Sequence, residues 1–132
     1  MGFPGGGYED TDACLRETAE RECREELGID LRWEADFLTM INRMNHPKIT
    51  VDAFVYHVKT QRDLTPNSEV AKYFWLSLAD LVAEQNRTTI EHSFEGAMHR
   101  FPAIILPHVP VPIWGISLGF LDQLFLRWRQ VQ

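Results

Sequence analysis

The chain has 132 residues, of which 45% are hydrophobic and 24% charged; this composition suits one folded domain and excludes a disordered or collagen-like chain. The net charge of -6 is local: residues 1–36 contain 11 acidic residues and 4 arginines (-7), and residues 37–132 contain 8 acidic and 9 basic residues (+1). A uniformly acidic surface would indicate only solubility and poor binding of nucleic acid, whereas a local excess of carboxylates favours a bound cation. We expect no nucleic-acid partner.

The first predicted element is a helix over residues 11–27, after a glycine-rich segment. Thr11 or Asp12 can cap its N-terminus, and Gly28 occupies the position of a C-terminal cap. Cys14 and Cys23 would lie roughly 13 Å apart on this helix, too far for a disulfide. We therefore expect free thiols and a reducing location inside a cell, the cytoplasm or, as the alternative, an organelle.

The rest of the chain is typical of strands that alternate with loops and short helices. In order, we predict strands at 31–44 and 48–59 joined by a turn at 45–47, a loop at 60–68, a strand at 70–76, a short helix at 77–83, a loop at 85–100 and a final helix at 115–129. The longest apolar stretch, residues 113–126, contains Asp122 and is too short to cross a bilayer. We expect neither a secretory signal nor a membrane partner.

The sequence Arg-Glu-Cys-Arg-Glu-Glu-Leu-Gly-Ile at residues 21–29 carries the clearest chemical signal. Glu22 and Glu26 are one helical turn apart with Glu25 between them, so three carboxylates can share one face of the helix. Most glutamate-rich helix faces are simply solvated, but a few carboxylates together with phosphates and water are also how proteins hold Mg²⁺. The pattern therefore predicts a site for a hard divalent cation.

These residues resemble the second half of the Nudix box, Gly-x5-Glu-x7-Arg-Glu-U-x-Glu-Glu-x-Gly-U, in which U is a bulky apolar residue. In the first half, counting from Gly7 places Ala13 at the first glutamate position. Counting from Gly6 places Asp12 there, with eight rather than seven residues before Arg21. This expansion after Phe-Pro-Gly-Gly resembles the coenzyme A diphosphatase branch of the family, as do segments 66–81, 101–103 and 113–116.

The resemblance implies an α/β (α+β) fold: a Nudix-type sandwich of helices around a mixed sheet, as one domain over residues 1–132 with the box at about 5–29. Nudix domains normally have strands before the Phe-Pro-Gly-Gly sequence. We therefore expect an N-terminally shortened domain that lacks the usual first strands, or one that covers its open sheet edge by pairing as a homodimer.

The function implied by the resemblance is hydrolysis of a diphosphate linkage in a small nucleoside diphosphate derivative, with Mg²⁺ or Mn²⁺ as cofactor. Coenzyme A or its derivatives are the expected substrates, and ADP-ribose or a (d)NTP are alternatives. A catalytically inactive Nudix-like binding or interaction module is the other class of function, because a shortened chain can have reduced activity or none.

Carried over to this sequence, the resemblance implies Glu22, Glu25 and Glu26 as metal ligands, with a further ligand from the backbone carbonyl of Gly6 or Gly5. Glu25 is also expected to act in catalysis.

Three further assignments follow from the resemblance. Arg21 would orient a helix carboxylate rather than touch the substrate. Glu69 would be a general base or an additional metal ligand, the alternative being an exposed loop glutamate. The glycines Gly5, Gly6 and Gly7, placed before the glutamate helix, would bind the substrate phosphates.

Overall fold

The structure is a computed structural model that describes residues 2–46, 49–60 and 62–131. The chain divides into two compact units, an N-terminal unit (Phe3–Tyr73) and a C-terminal unit (Phe74–Gln132). All predicted site residues belong to the N-terminal unit.

The N-terminal unit contains two helices followed by a hairpin: α1 (Leu15–Leu27), α2 (Leu31–Glu34), β1 (Ala35–His46) and β2 (Ile49–Val58). The two strands pair in antiparallel register, with Ala35 opposite Val58. A small core forms beneath α1; its members are Cys23, Ile29, Leu31 and Ala35, with Leu27, Tyr56, Val58 and Leu64 packed against them. This core fixes α1, which carries the predicted metal ligands.

The two ends of α1 differ in how well the sequence predicts them. Gly28 caps the C-terminus as predicted, with a left-handed φ of 75° and an N–H that donates to the Arg24 carbonyl at 2.9 Å. The predicted N-caps are wrong, because the helix begins at Leu15 after Cys14, and no side chain caps it. Asp12 does not cap the helix because its carboxylate is bonded to Thr18 and Arg21 instead.

The predicted strand at 31–44 is wrong in its first four residues, which form α2. Asp30 caps this short helix, since its carboxylate accepts from the N–H of Arg32 at 3.2 Å. The strand starts only at Ala35. Of the predicted turn at 45–47, Pro47 lies outside the described residues.

The C-terminal unit contains α3 (Leu78–Val82), a 3-10 turn (Glu84–Asn86), β3 (Arg87–Phe94), β4 (Ala97–Ile104), β5 (Ile113–Trp114) and α4 (Gly115–Val131). Its core is made of apolar side chains from α3, α4, β4, β5 and the segment before β5: Leu81, Ile104, Leu106, Val109, Ile113, Leu118, Leu121 and Phe125. The predicted short helix and final helix are thereby confirmed.

Two predictions for this part of the chain are wrong. Residues 85–100 form most of the β3–β4 hairpin rather than a loop. Its turn is Glu95-Gly96, with φ of 51° and 81°, the left-handed geometry that two-residue hairpins require. Because most of β3 is exposed on both faces, it lacks the apolar alternation that marks a strand. Residues 70–76 are not a strand, because none of the described strands pairs with them.

The α/β class is confirmed, since the molecule combines helices with two sheets, β1–β2 and β3–β4–β5. Among the described residues every strand pairing is antiparallel, which differs from the expected mixed sheet. The reason is that only two residues separate β1 from β2 and β3 from β4, and so short a connection can join only an antiparallel pair. That residues 1–132 form a single domain, and that this domain lacks the first strands of the Nudix fold, stay predictions.

In the part of the chain that the structure describes, no helix is long and apolar enough to span a membrane.

Candidate metal centre

Three carboxylates converge at one place in the N-terminal unit. Glu22 and Glu26 come from successive turns of α1, and Glu69 comes from the loop after β2. One oxygen from each lies within 4.8 Å of the others, with Glu22 and Glu26 half-buried and Glu69 exposed. A donor set made only of carboxylate oxygens is the chemistry that Mg²⁺, Mn²⁺ or Ca²⁺ prefers.

The carboxylates of this cluster repel one another. Burial raises the pKa of Glu26, and so do a hydrogen bond with Glu22 and the negative charges of Glu22 and Glu69; a hydrogen bond from the N–H of Gly5 lowers it. Bringing a divalent cation to these oxygens removes the mutual repulsion. The residues present therefore fit such an ion.

Gly6 lies directly against the cluster. A Cβ at this position would lie 2.5 Å from Oε1 and 2.6 Å from Cδ of Glu22, so any other residue here would displace the Glu22 carboxylate. The neighbouring glycines are also engaged: the N–H of Gly5 bonds to Glu26, and the carbonyl of Gly7 accepts from Nη2 of Arg21 at 3.1 Å. The expected roles of these glycines toward metal and phosphates stay predictions.

Arg21 connects the segment before α1 to the carboxylates of the helix. Its Nε and Nη2 donate to the two oxygens of Asp12 at 3.0 and 3.1 Å, and its Nη1 donates to Glu22 and Glu25 at 3.1 Å each. From this position an arginine can orient helix carboxylates. The two alignments of the Nudix box place either Asp12 or Ala13 at its first glutamate position. Asp12 is buried against Arg21 and Ala13 is exposed, so the geometry favours the alignment that counts from Gly6 and uses Asp12.

Glu25, the third carboxylate of the predicted face, lies outside the converging group. Its side chain is 50% exposed, compared with 13% for Glu22, and it forms an ion pair with Arg21. The structure therefore brings together two of the three helix glutamates predicted as ligands and adds Glu69 to them. Glu69 is exposed and lies with the other two carboxylates; its expected role as a general base or an additional metal ligand stays a prediction.

One residue near the cluster was not singled out from the sequence. The Oδ1 of Asn67 accepts a hydrogen bond from the N–H of Glu69 at 3.0 Å. The sequence feature that could have indicated Asn67 is its position two residues before Glu69, because an asparagine side chain often accepts a hydrogen bond from the main chain two residues on.

Comparison with known proteins gives the family. Residues 1–96 match the NUDIX domain. The chain is 32% identical over 120 residues to the mitochondrial coenzyme A diphosphatase NUDT8 of Homo sapiens, covering 89% of this chain and 50% of that protein. It is 29% identical over 130 residues to the Mus musculus protein of the same name, covering 96% of this chain and 61% of that protein.

An uncharacterized protein of Schizosaccharomyces pombe is 32% identical over 115 residues, covering 80% of this chain and 35% of that protein. The chain thus spans about half the length of the curated relatives it matches. The match to the NUDIX domain covers most of the chain and includes the residues of the carboxylate cluster. The chain belongs to the NUDIX domain family.

Proposed function

We propose that this chain hydrolyses a diphosphate linkage with a divalent cation, Mg²⁺ or Mn²⁺, held by Glu22, Glu26 and Glu69. The observation that carries the proposal is the convergence of these three carboxylates within 4.8 Å. Membership of the NUDIX family supports it, because Nudix enzymes generally use divalent metals.

The chemistry follows from the charge of the substrate. Two linked phosphates repel an attacking water, and a bound divalent cation would neutralise the phosphates and acidify the water. The water oxygen forms a bond to one phosphorus, and the bond from that phosphorus to the bridging oxygen breaks, giving two phosphate-containing products. A proton is released from the water in the process.

The chain's own residues would then have distinct tasks. Arg21, anchored by Asp12, restrains Glu22 through a hydrogen bond at 3.1 Å. Glu25 lies half exposed at the edge of the cluster, and we assign to it the removal of the water proton or a further ligand position. Gly6 leaves the space that the Glu22 carboxylate occupies.

Coenzyme A or a derivative is the proposed substrate. Nudix hydrolases act on small-molecule nucleoside diphosphate derivatives, and the human and mouse relatives are named as coenzyme A diphosphatases. The proposed location is inside the cell; both relatives are named as mitochondrial, whereas the free thiols predict only a reducing compartment.

The test is a product-release assay on coenzyme A, ADP-ribose and dinucleoside polyphosphates, with and without Mg²⁺ or Mn²⁺. We expect cleavage of coenzyme A that requires the metal and that Glu22→Gln or Glu26→Gln removes almost completely. Glu17→Gln is the matched control, because it makes the same change on the same helix outside the cluster.

Circular dichroism of each variant verifies that the helix is retained. Full activity in both cluster variants contradicts the proposal. Metal binding by the wild-type chain with no turnover of any of these substrates favours the alternative, a non-catalytic binding module.

A further inference from the structure

The loop that carries Glu69 lies against the C-terminal end of α1. The N–H of Thr65 donates to the carbonyl of Leu27 at 2.9 Å, and the N–H of Asn67 donates to the carbonyl of Glu26 at 3.0 Å. The last carbonyls of an α-helix have no partner within the helix, so the loop satisfies two of them. Glu26 therefore binds the loop through its main-chain carbonyl and belongs to the carboxylate cluster through its side chain.

Asn67 also fixes the backbone at Glu69. Its Oδ1 accepts from the N–H of Glu69 at 3.0 Å, and its carbonyl accepts from the N–H of Val70 at 3.2 Å. Asparagine favours such turns because its side-chain oxygen can reach the main chain two residues on. The Asn67 side chain thus closes the turn from which the Glu69 carboxylate reaches the cluster.

Arg62 anchors the beginning of the same loop. Its Nη2 donates to the carbonyl of Gly28 at 2.6 Å, while Nε and Nη2 donate to the Glu34 carboxylate at 2.6 and 3.0 Å. The loop also approaches the helix end closely, since a Cβ on Gly28 would lie 3.0 Å from the Cβ of Thr65. The position of the loop on α1 is therefore restrained both before and after Thr65.

We propose that Asn67 is a positioning residue that sets the affinity of the cluster for a divalent cation. By holding the main chain of Glu69 on the end of α1, it sets the distance between the Glu69 carboxylate and the pair Glu22 and Glu26. This inference rests on the proposed function, because it takes the three carboxylates as a cation site. Asn67 acts through Glu69, because its side-chain oxygen is already bonded to the Glu69 N–H.

The experiment is a double-mutant cycle on the full chain, with Mn²⁺ binding measured by the loss of the free-ion electron paramagnetic resonance signal. We expect Asn67→Ala to weaken Mn²⁺ binding by about tenfold, as supporting residues around metal ligands commonly do. Glu69→Gln should weaken it at least as much. The double variant should match Glu69→Gln alone, because Asn67 has nothing left to position. Glu17→Gln should leave the affinity unchanged.

Thermal unfolding in EDTA reports the fold of each variant without metal. Asn67→Ser keeps a side-chain oxygen at this position and should recover part of the affinity. Asn67→Leu, which is similar in size and has no acceptor, replaces Asn67→Ala in the cycle if the alanine variant does not fold. An equal loss of affinity with and without the Glu69 carboxylate overturns the inference, because Asn67 would then act independently of Glu69.

An unchanged affinity in Asn67→Ala also overturns the inference. If Glu22→Gln still abolishes Mn²⁺ binding in that case, the cation site of the proposed function stands. If the wild-type chain binds no Mn²⁺, the proposed function fails and the inference fails with it.

Discussion

Arg21 and Asp12 form a bidentate pair, in which Nε and Nη2 of the arginine donate to separate oxygens of the carboxylate at 3.0 and 3.1 Å. The pair joins the segment before α1 to the middle of the helix. Asp12 is buried and also accepts from the N–H of Glu9 at 2.9 Å and the hydroxyl of Thr18 at 3.0 Å. A bidentate arginine–carboxylate pair fixes geometry as well as adding energy, so this pair restrains the segment before α1 against the helix.

The pair should make the stability of the chain sensitive to acid. Hydrogen bonds from Arg21, above all, and from the Glu9 N–H and the Thr18 hydroxyl lower the pKa of Asp12 to about 2, from an ordinary 3.8. Because the folded-state pKa lies below the unfolded-state pKa, the contribution of Asp12 is fully present above about pH 4 and is lost as the pH falls toward 2. Urea unfolding between pH 5 and pH 2 should show this loss in the wild type and a weaker pH dependence in Asp12→Asn. The same pH dependence in both proteins would contradict the prediction.

Gly6→Ala should weaken cation binding while leaving the fold intact. The added Cβ would lie 2.5 Å from Oε1 of Glu22, so the Glu22 carboxylate, a proposed metal ligand, would have to shift. We expect Mn²⁺ affinity, measured by calorimetric titration, to fall by about tenfold with little change in Tm. Gly2→Ala is the control, because no heavy atom lies within 4 Å of its added Cβ. Equal affinities in the two variants would be evidence against the predicted contact.

In the C-terminal unit, neighbouring isoleucines should differ sharply in their effect on stability. Ile104 is 0% exposed in the core and Ile105 is 50% exposed. Ile104→Ala should reduce the free energy of unfolding by about 2–5 kcal/mol, since it loses buried apolar surface and leaves a cavity. Ile105→Ala should change it by about 0.5 kcal/mol. Urea unfolding followed by tryptophan fluorescence measures both values, and similar losses in the two variants would contradict the described packing.

The two cysteines should differ in reactivity. Burial, together with the nearby charges of Glu26 and Glu34, raises the pKa of Cys23 to about 11, whereas Cys14 is exposed. Only about one Cys23 in a thousand is a thiolate at pH 8, and the thiolate is the reactive form. Iodoacetamide at pH 8 should therefore alkylate Cys14 in the native protein and both cysteines in urea, as read by mass spectrometry. Rapid native labelling of Cys23 would show that its surroundings are open to solvent.

Local patterns predicted the helix of the box well. Glycine readily adopts the left-handed φ of 75° found at Gly28, so its position after a run of helix formers indicated the C-terminus of α1. The spacing of Glu22 and Glu26 likewise placed both carboxylates on one face, because residues four apart lie one turn apart on a helix.

The strands were harder to predict where burial gives no pattern. Most of β3 is exposed on both faces, so its residues lack the apolar alternation typical of a strand, and the Glu95-Gly96 turn is a local sign of the hairpin. Residues 70–76 show the opposite error: they have the composition of a strand, but no neighbouring strand supplies hydrogen bonds among the described residues.

By itself, the sequence determined the helical spacing of Glu22 and Glu26, the cap at Gly28 and the resemblance to the Nudix box, because these depend on residues within a few turns of one helix. Only the tertiary structure decided which third carboxylate joins them. Glu69 is 43 residues from Glu26 along the chain, and Glu25 is adjacent to Glu26, yet Glu69 lies in the cluster and Glu25 at its edge. The reason is that hydrogen bonds from the loop to the last carbonyls of α1 bring Glu69 back to the helix, and such bonds between distant segments have no periodic signature in the sequence.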